Sequence, residues 1–319
     1  MSILRHTLTG AIALGVAAAT TPALAFPDKP IEFVIPFGAG GGADIEGRLL
    51  AKEMSKVLGV PVTPVNRTGG GGAVAYTHTK NAKPDGYTIV WNSTSVLTST
   101  NLGNTDFLYD ALDHVGRVEF QPQPFAVRAD APWKDFGEFV TACKAAPGTL
   151  KVANAGTGSS THTAAVMLMN AVGCKVIHLP KGIKGRNKSV LNGEANAMIA
   201  PLTGAVNLTK AGKLRLLVMP TDTRSSIFPD VPTAKELGYN ASLDLFRGLS
   251  VPPNTPNEIK KILADAMTKA ANSEAFLDLA KKKGFTVAPL GHEAFSKLLA
   301  EENVKVRAIF ASAGLLPTK

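Results

Sequence analysis

The chain is 319 residues long, above the usual size of a single domain, so two lobes are expected. Hydrophobic residues make up 45% and charged residues 18%, a globular composition that excludes a disordered chain. The formal charge of +9 comes without a dense Lys/Arg block and with only 6% aromatics. That excludes the basic, aromatic-interleaved stripe of a nucleic-acid binder and leaves a modest positive field, suited to small anions or to solubility.

Arg5 and His6 open a weakly basic start, residues 8–19 form a mostly apolar run, and Ala23-Leu24-Ala25 has the small-x-small form of a cleavage site. The run is too short to span a bilayer, so residues 1–25 are expected to be a secretory signal peptide, with the mature chain starting at Phe26. No cysteine near that point suggests a lipid anchor, and no later stretch reads as a membrane helix.

Residues 31–36 read as a strand followed at once by a glycine run over 38–42. Ile45, Leu49, Leu50, Met54, Val57 and Leu58 then recur at helical spacing up to Gly59. A second strand over 60–65, a glycine turn over 69–72, a helix over 73–82 and a turn at Pro84-Asp85-Gly86 follow. The strand over 87–91 leads into Asn92-Ser93-Thr94. The pattern then repeats: a short strand over 150–153, the loop Gly156-Thr157-Gly158-Ser159-Ser160, a helix over 161–172, and strands over 175–179, 197–200 and 214–219. Strands alternating with helices predict a parallel sheet in each half. The C-terminal part reads as helical, with Thr255 as N-cap, Pro256 in the first helical position, Glu258 closing a capping box, and Gly314 stopping the last helix. No low-complexity linker separates the halves, so crossing strands near 122–125 and 245–248 are expected to join them.

The strongest chemical feature is the pair of strand–glycine loop–helix units. Each places unpaired backbone N–H groups at a helix N-terminus, where an anion is stabilised and glycine permits close approach. The first is Phe37, Gly38, Ala39, Gly40, Gly41, Gly42 and Ala43; the second runs over 156–160, where Ser159 or Ser160 can cap the helix. Ordinary tight turns remain the plainer reading of either loop alone. Gly38-x-Gly40-x-x-Ala43 fits a relaxed dinucleotide pattern, but the second strand does not end in the acidic residue that would hold a ribose, and no Walker lysine follows. Neither Ser159 nor Ser160 sits in Gly-x-Ser-x-Gly, and His162, just inside a helix, is read as orienting a loop or a ligand oxygen. His78, His114, His178 and His292 lack metal-ligand spacing. No cofactor, metal or catalytic residue is assigned. Phe37, Trp91 and Phe246 could stack on a ligand, although core packing is the commoner fate. Cys143 and Cys174 are too few for a disulfide scaffold, and two buried free thiols are expected, with a bridge as the alternative.

Taken together, Pro36-Phe37-x-x-Gly40-Gly41-x-x-Asp44, Asn66-Arg67-x-Gly69-x-Gly71-Gly72, Pro84-Asp85-Gly86-Tyr87-Thr88, Gly156-x-Gly158-Ser159-x-x-His162, Pro229-Asp230-Val231-Pro232-Thr233 and Pro252-x-x-Thr255-Pro256 resemble the Bug-type solute receptors of tripartite tricarboxylate transporters. The match runs in order through nearly all of the mature chain. The resemblance implies an α/β, two-lobed periplasmic-binding-protein fold of the Venus-flytrap kind, with a mainly parallel sheet in each lobe. Lobe 1 would be 26–122 plus 247–319 and lobe 2 would be 123–246. It further implies a non-catalytic monomer in the periplasm that binds a di- or tricarboxylate or an aromatic acid and serves membrane transporter subunits. A sensory receptor feeding a kinase, or an enzyme on the same fold, is the alternative.

Carried over by position, ligand contacts would come from Phe37, Gly38, Ala39, Gly40, Gly41, Gly42 and Asp44, from Gly70 and Gly71, and from Asn92, Ser93 and Thr94. The second lobe would contribute Thr157, Ser159, Ser160 and His162, with Phe246 at the second crossing. Three departures touch this set: the run from Pro180 to Lys188 lacks the family's tyrosine and is one residue shorter, Ser189 replaces an aspartate, and Phe246 replaces a tryptophan. The run carries Lys181, Lys184, Arg186 and Lys188, which reads as a basic loop on the rim of lobe 2. Arg186 is the preferred contact because a guanidinium grips a carboxylate with two N–H donors.

Overall fold

A computed structural model describes residues 26–317. The expected leader and its cleavage site lie outside the described residues. No described helix is long and apolar enough to cross a membrane.

Strand β1 (Ile31–Ile35) feeds helix α1 (Gly42–Leu58) through the first glycine loop; β2 (Val62–Asn66), α2 (Ala73–Lys80), β3 (Thr88–Ser93) and α3 (Ser95–Asn101) follow. Long strand β4 (Asp113–Gln121) leaves the first lobe, and β5 (Phe125–Arg128) enters the second. The second lobe holds α4 (Phe136–Ala145), β6 (Lys151–Asn154), α5 (Ser160–Ala171), β7 (Ile177–Pro180), α6 (Gly182–Leu191), β8 (Ala197–Ile199), α7 (Leu202–Lys210) and β9 (Leu214–Val218). The chain returns through β10 (Leu245–Val251) and ends in α8 (Asn257–Ala271), α9 (Glu274–Lys283), β11 (Thr286–Leu290) and α10 (His292–Ser312).

The first lobe carries a six-stranded sheet in the order β11-β4-β10-β3-β1-β2, the second a five-stranded sheet in the order β7-β6-β8-β5-β9. Both are mixed, which corrects the expectation of mainly parallel sheets. The βα units pair in parallel, but β4, β5 and β10 at the crossings between lobes, together with β9 and β11, run antiparallel to their neighbours. Leu245 and Phe246 already pair with β4, so the return to the first-lobe sheet is complete two residues before the expected boundary. Pro64 is tolerated in β2 because that strand is an edge.

Helices cover both faces of each sheet. Strand alternation sends Ile31, Phe33 and Ile35 to one core with Leu50, Met54 and Trp91, and Val34 to the other with Phe246, Phe295 and Phe310. In the second lobe Phe125 and Val127 face one core and Ala126 the other. Helix α8 starts one residue later than expected: Thr255 donates its hydroxyl to the Pro252 carbonyl at 2.7 Å instead of capping, and Pro256 stands at the N-cap. The two cysteines are bonded, not free. Cys143 late in α4 and Cys174 just past α5 have Cα atoms 5.9 Å apart, within disulfide range.

Candidate functional site

The two glycine loops meet across the seam between the lobes. Thr98 Oγ1 donates to the Gly158 carbonyl at 2.6 Å, the Ser160 amide donates to Ser95 Oγ at 3.0 Å, and Asn104 Nδ2 donates to the carbonyls of both Gly70 (2.9 Å) and Thr157 (3.0 Å). At Gly71 a side chain is excluded outright, because its first carbon would stand 2.6 Å from the backbone of Thr157 and Gly158. The lobes are therefore in contact, and what lies between them falls into two spaces.

The outer space is an open cleft of about 700 Å³, lined by Phe37, Gly38, Ala39, residues 68–72, Asn104, residues 155–157 and residues 180–185. The inner space is a small chamber of about 20 Å³. The start of α1 (Gly42, Ala43) and the start of α5 (Ser159, Ser160, Thr161) line it from opposite lobes. The first amides of a helix have no acceptor within it, and although Ser95 takes the Ser160 amide and Ser159 the His162 amide, both ends present partial positive charge to the same space. Phe37, Ala155 and Ile183 line both spaces and so form the neck between them.

Each loop has its own fastening. Asp44 accepts the Gly40 amide at 3.0 Å, Arg48 Nε at 2.8 Å and Asn66 Nδ2 at 2.9 Å, while the same Asn66 amide reaches the Phe37 carbonyl at 2.8 Å. Gly40 adopts φ 81°, where glycine is favoured. In the second loop Ser159 accepts the His162 amide at 3.2 Å as the N-cap of α5, and His162 Nδ1 accepts the Gly158 amide at 3.3 Å. Burial, and to a lesser degree His178, lower the His162 pKa to about 4, so the imidazole is neutral at pH 7 and can accept that bond.

Two buried arginines flank the chamber. Arg247 pairs with Glu46 and lies 3.3 Å from Glu119, and both carboxylates are fully buried. Gln121 Nε2 donates to Glu46 at 2.8 Å and to Glu119 at 3.1 Å. Burial and then the Glu46 charge hold the Glu119 carboxyl well above its usual pKa, and Glu46 makes the shorter contact with Arg247. Arg186 is 1% exposed, donates Nε to Asn187 Oδ1 at 3.1 Å, and has no carboxylate partner among the described residues. Its Nη1 is buried without a hydrogen-bond partner, and burial lowers its pKa to about 10.

A profile of the tripartite tricarboxylate transporter family receptor matches residues 47–315. The chain belongs to this family. A UPF0065 protein from the gbd 5′ region of Cupriavidus necator is 32% identical over 95% of this chain and 94% of its own length. The structure of the periplasmic binding protein BugD superposes with a TM-score of 0.87 at 26% identity, covering 92% of this chain and 100% of that one. MatC from Rhodopseudomonas palustris, solved with bound malate, gives 0.84 at 26% identity, covering 89% and 99%. The family is one of periplasmic solute-binding proteins, and the two-lobed periplasmic-binding-protein fold expected from the motifs is the fold found.

Within this receptor the expected contacts divide. Phe37, Gly42, Ser159, Ser160 and Arg186 line the chamber; Phe37, Gly38, Ala39, Gly70, Gly71 and Thr157 line the cleft. The others face elsewhere. Gly40 and Gly41 shape the first loop, and a side chain on Gly41 would strike Ile183 of the opposite lobe. Asp44 is the loop fastening, and His162 holds Gly158. Asn92 donates to Ser250 Oγ at 2.8 Å inside the first lobe, Ser93 accepts the Ser95 amide at 3.2 Å, and Thr94 Oγ1 accepts the Phe246 amide at 3.0 Å. Phe246 is a correction: alternation along β10 turns it into the core against Phe295, while its neighbours Leu245 and Arg247 face the chamber. Trp91 is also core, packed on Phe33. The basic run is not a loop but the start of α6, whose turns put Ile183 and Arg186 on the inward face and leave Lys181, Lys184 and Lys188 exposed. Ser189 returns its hydroxyl to the Arg186 carbonyl at 2.8 Å. Ser95, Ala155, Thr161, Ile183, Pro201, Leu245 and Arg247 line the chamber without having been expected to.

Proposed function

We propose that this receptor captures a small organic acid between its lobes and presents it to the membrane subunits of a tripartite tricarboxylate-type transporter. One observation carries the reading: the N-termini of α1 and α5, one from each lobe, converge on a single chamber. A carboxylate there completes hydrogen bonds that the closed lobes otherwise leave open, so binding and closure reinforce each other. The bound malate of MatC supports a carboxylate as the class. The protein acts as a monomer in the periplasm after removal of residues 1–25, with hinges at the two crossings between lobe 1 and lobe 2, and it returns its ligand chemically unchanged.

The test is thermal denaturation and calorimetry of the mature chain against a library of mono-, di- and tricarboxylates and aromatic acids. A true ligand at a hundredfold excess over its Kd adds about 2.7 kcal/mol of apparent stability. A library in which no acid shifts the transition overturns the carboxylate reading, and consumption of the bound acid would make the protein an enzyme. Intact mass of periplasmic material checks the start at Phe26.

A further inference from the structure

Arg186 and Arg247 have the same side chain, nearly the same burial and the same chamber, yet only Arg247 has a counterion. Burying a guanidinium without a partner is costly, and folded proteins seldom retain one for packing alone. The single side-chain acceptor that Arg186 has is the neutral amide of Asn187, which leaves a full positive charge uncompensated at the chamber wall. Nothing else in the chamber cancels it, since Glu46 and Glu119 are both engaged by Arg247 and Gln121.

Access to that charge is narrow. The outer cleft is about 700 Å³ and the inner chamber only about 20 Å³ on the same measure, enough for a water or two. Between them stand Phe37, Ala155 and Ile183. Ile183 comes from the second lobe and presses on Gly41 of the first, so the neck is drawn tight by closure itself.

Resting on the carboxylate reading above, we infer that Arg186 is the specificity-determining residue of this receptor: it selects an acid whose terminal carboxylate is carried on an unbranched stem, entering head-first through the neck formed by Phe37, Ala155 and Ile183. The carboxylate becomes the counterion of Arg186, gripped through two of its N–H groups and by the helix ends, while the rest of the molecule lies in the outer cleft. Acids substituted next to the carboxylate are shut out by the neck. Amides and esters of the same shape are shut out by the charge.

The experiment is calorimetry of the mature chain with unbranched α,ω-dicarboxylates of graded length, with the diamide of the tightest binder, and with its analogue bearing two methyl groups beside each carboxylate. The diacid binds; the diamide and the methylated analogue bind at least about a hundredfold more weakly. Arg186→Gln loses about a hundredfold for the diacid and brings it level with the diamide, Arg186→Lys retains part of the preference, and Ile183→Ala recovers the methylated analogue. Free Arg186→Gln melts at or above the wild-type temperature, because the replaced charge had no partner. Wild-type affinity of Arg186→Gln for the diacid, or equal wild-type binding of the methylated analogue, overturns the inference and leaves the carboxylate reading intact. A clear fall in melting temperature of Arg186→Gln makes Arg186 structural and also overturns it. If the wild type binds no acid at all, the carboxylate reading falls first, and this inference with it.

Discussion

The two walls of the inner chamber treat buried charge in opposite ways. On the first-lobe wall Arg247, Glu46, Glu119 and Gln121 form a closed set in which the cation has its anion. On the second-lobe wall the Arg186 guanidinium has one side-chain hydrogen-bond partner, the neutral amide of Asn187. Burial alone does not separate a structural arginine from a ligand-facing one, because both are almost fully covered. The counter-charge separates them: on one wall the cation is neutralised within the fold, and on the other it is not.

The largest effect that can break this comparison is on Arg247. Arg247→Met strands the Glu46 carboxylate in the core and is expected to cost about 3–5 kcal/mol in urea unfolding, whereas Arg186→Gln costs nothing. Equal losses at the two positions would erase the distinction between the walls. Next is the support behind each wall. The ion pairs found in the second lobe are all partly exposed, and that lobe is fastened instead by the Cys143–Cys174 bond, which closes 31 residues of chain. Replacing both cysteines with serine should lower stability by about 2–4 kcal/mol, read as a shift in the denaturant midpoint. No shift would mean that the second lobe draws its rigidity from elsewhere.

The smallest effect sharpens the first wall. The Glu119 pKa is raised well above its ordinary value in the fold, so the folded state holds this proton more tightly than the unfolded chain and wild-type stability falls as pH rises above the ordinary carboxylate range. Glu119→Gln is neutral throughout and escapes that decline. At about pH 4 the variant should lie within about 1 kcal/mol of wild type, and the difference should move in its favour as the pH is raised toward about 8. A difference that moves the other way would mean that Glu119 is ionised beside Arg247.

Much of this arrangement is written locally. The two glycine loops and the helices they open are contiguous, so Gly38, Gly42, Ser159 and Ser160 could be placed at the site from sequence. The rest depends on distance or on direction. Glu119 and Arg247 become partners only because β10 pairs with β4, and Glu46 reaches them from α1. Asn92, Ser93 and Thr94 stand at the end of a strand like other site residues, but their side chains are taken up by Ser250, Ser95 and Phe246. Two patterns in the sequence point to Arg247 and Arg186. In Leu245-Phe246-Arg247-Gly248-Leu249 a charge sits inside an apolar strand, and period-two alternation puts Phe246 on the face opposite Arg247. In the run from Lys181 to Val190, helical spacing groups Ile183, Arg186 and Val190 and sets the lysines apart, which a reading as a loop could not reveal.

One stretch of the seam between the lobes is backbone on backbone, with Gly71 set against Thr157 and Gly158. Glycine has no rotamers to freeze, so bringing these surfaces together forfeits little side-chain entropy. It also buries little apolar area and so gains little of its own. This stretch of the seam therefore sets how the lobes fit, and holding them together falls to the hydrogen bonds of Thr98, Ser95 and Asn104. Substitutions that retune the chamber can accumulate without disturbing the latch, and any residue larger than glycine at position 71 would hold the lobes ajar whatever is offered.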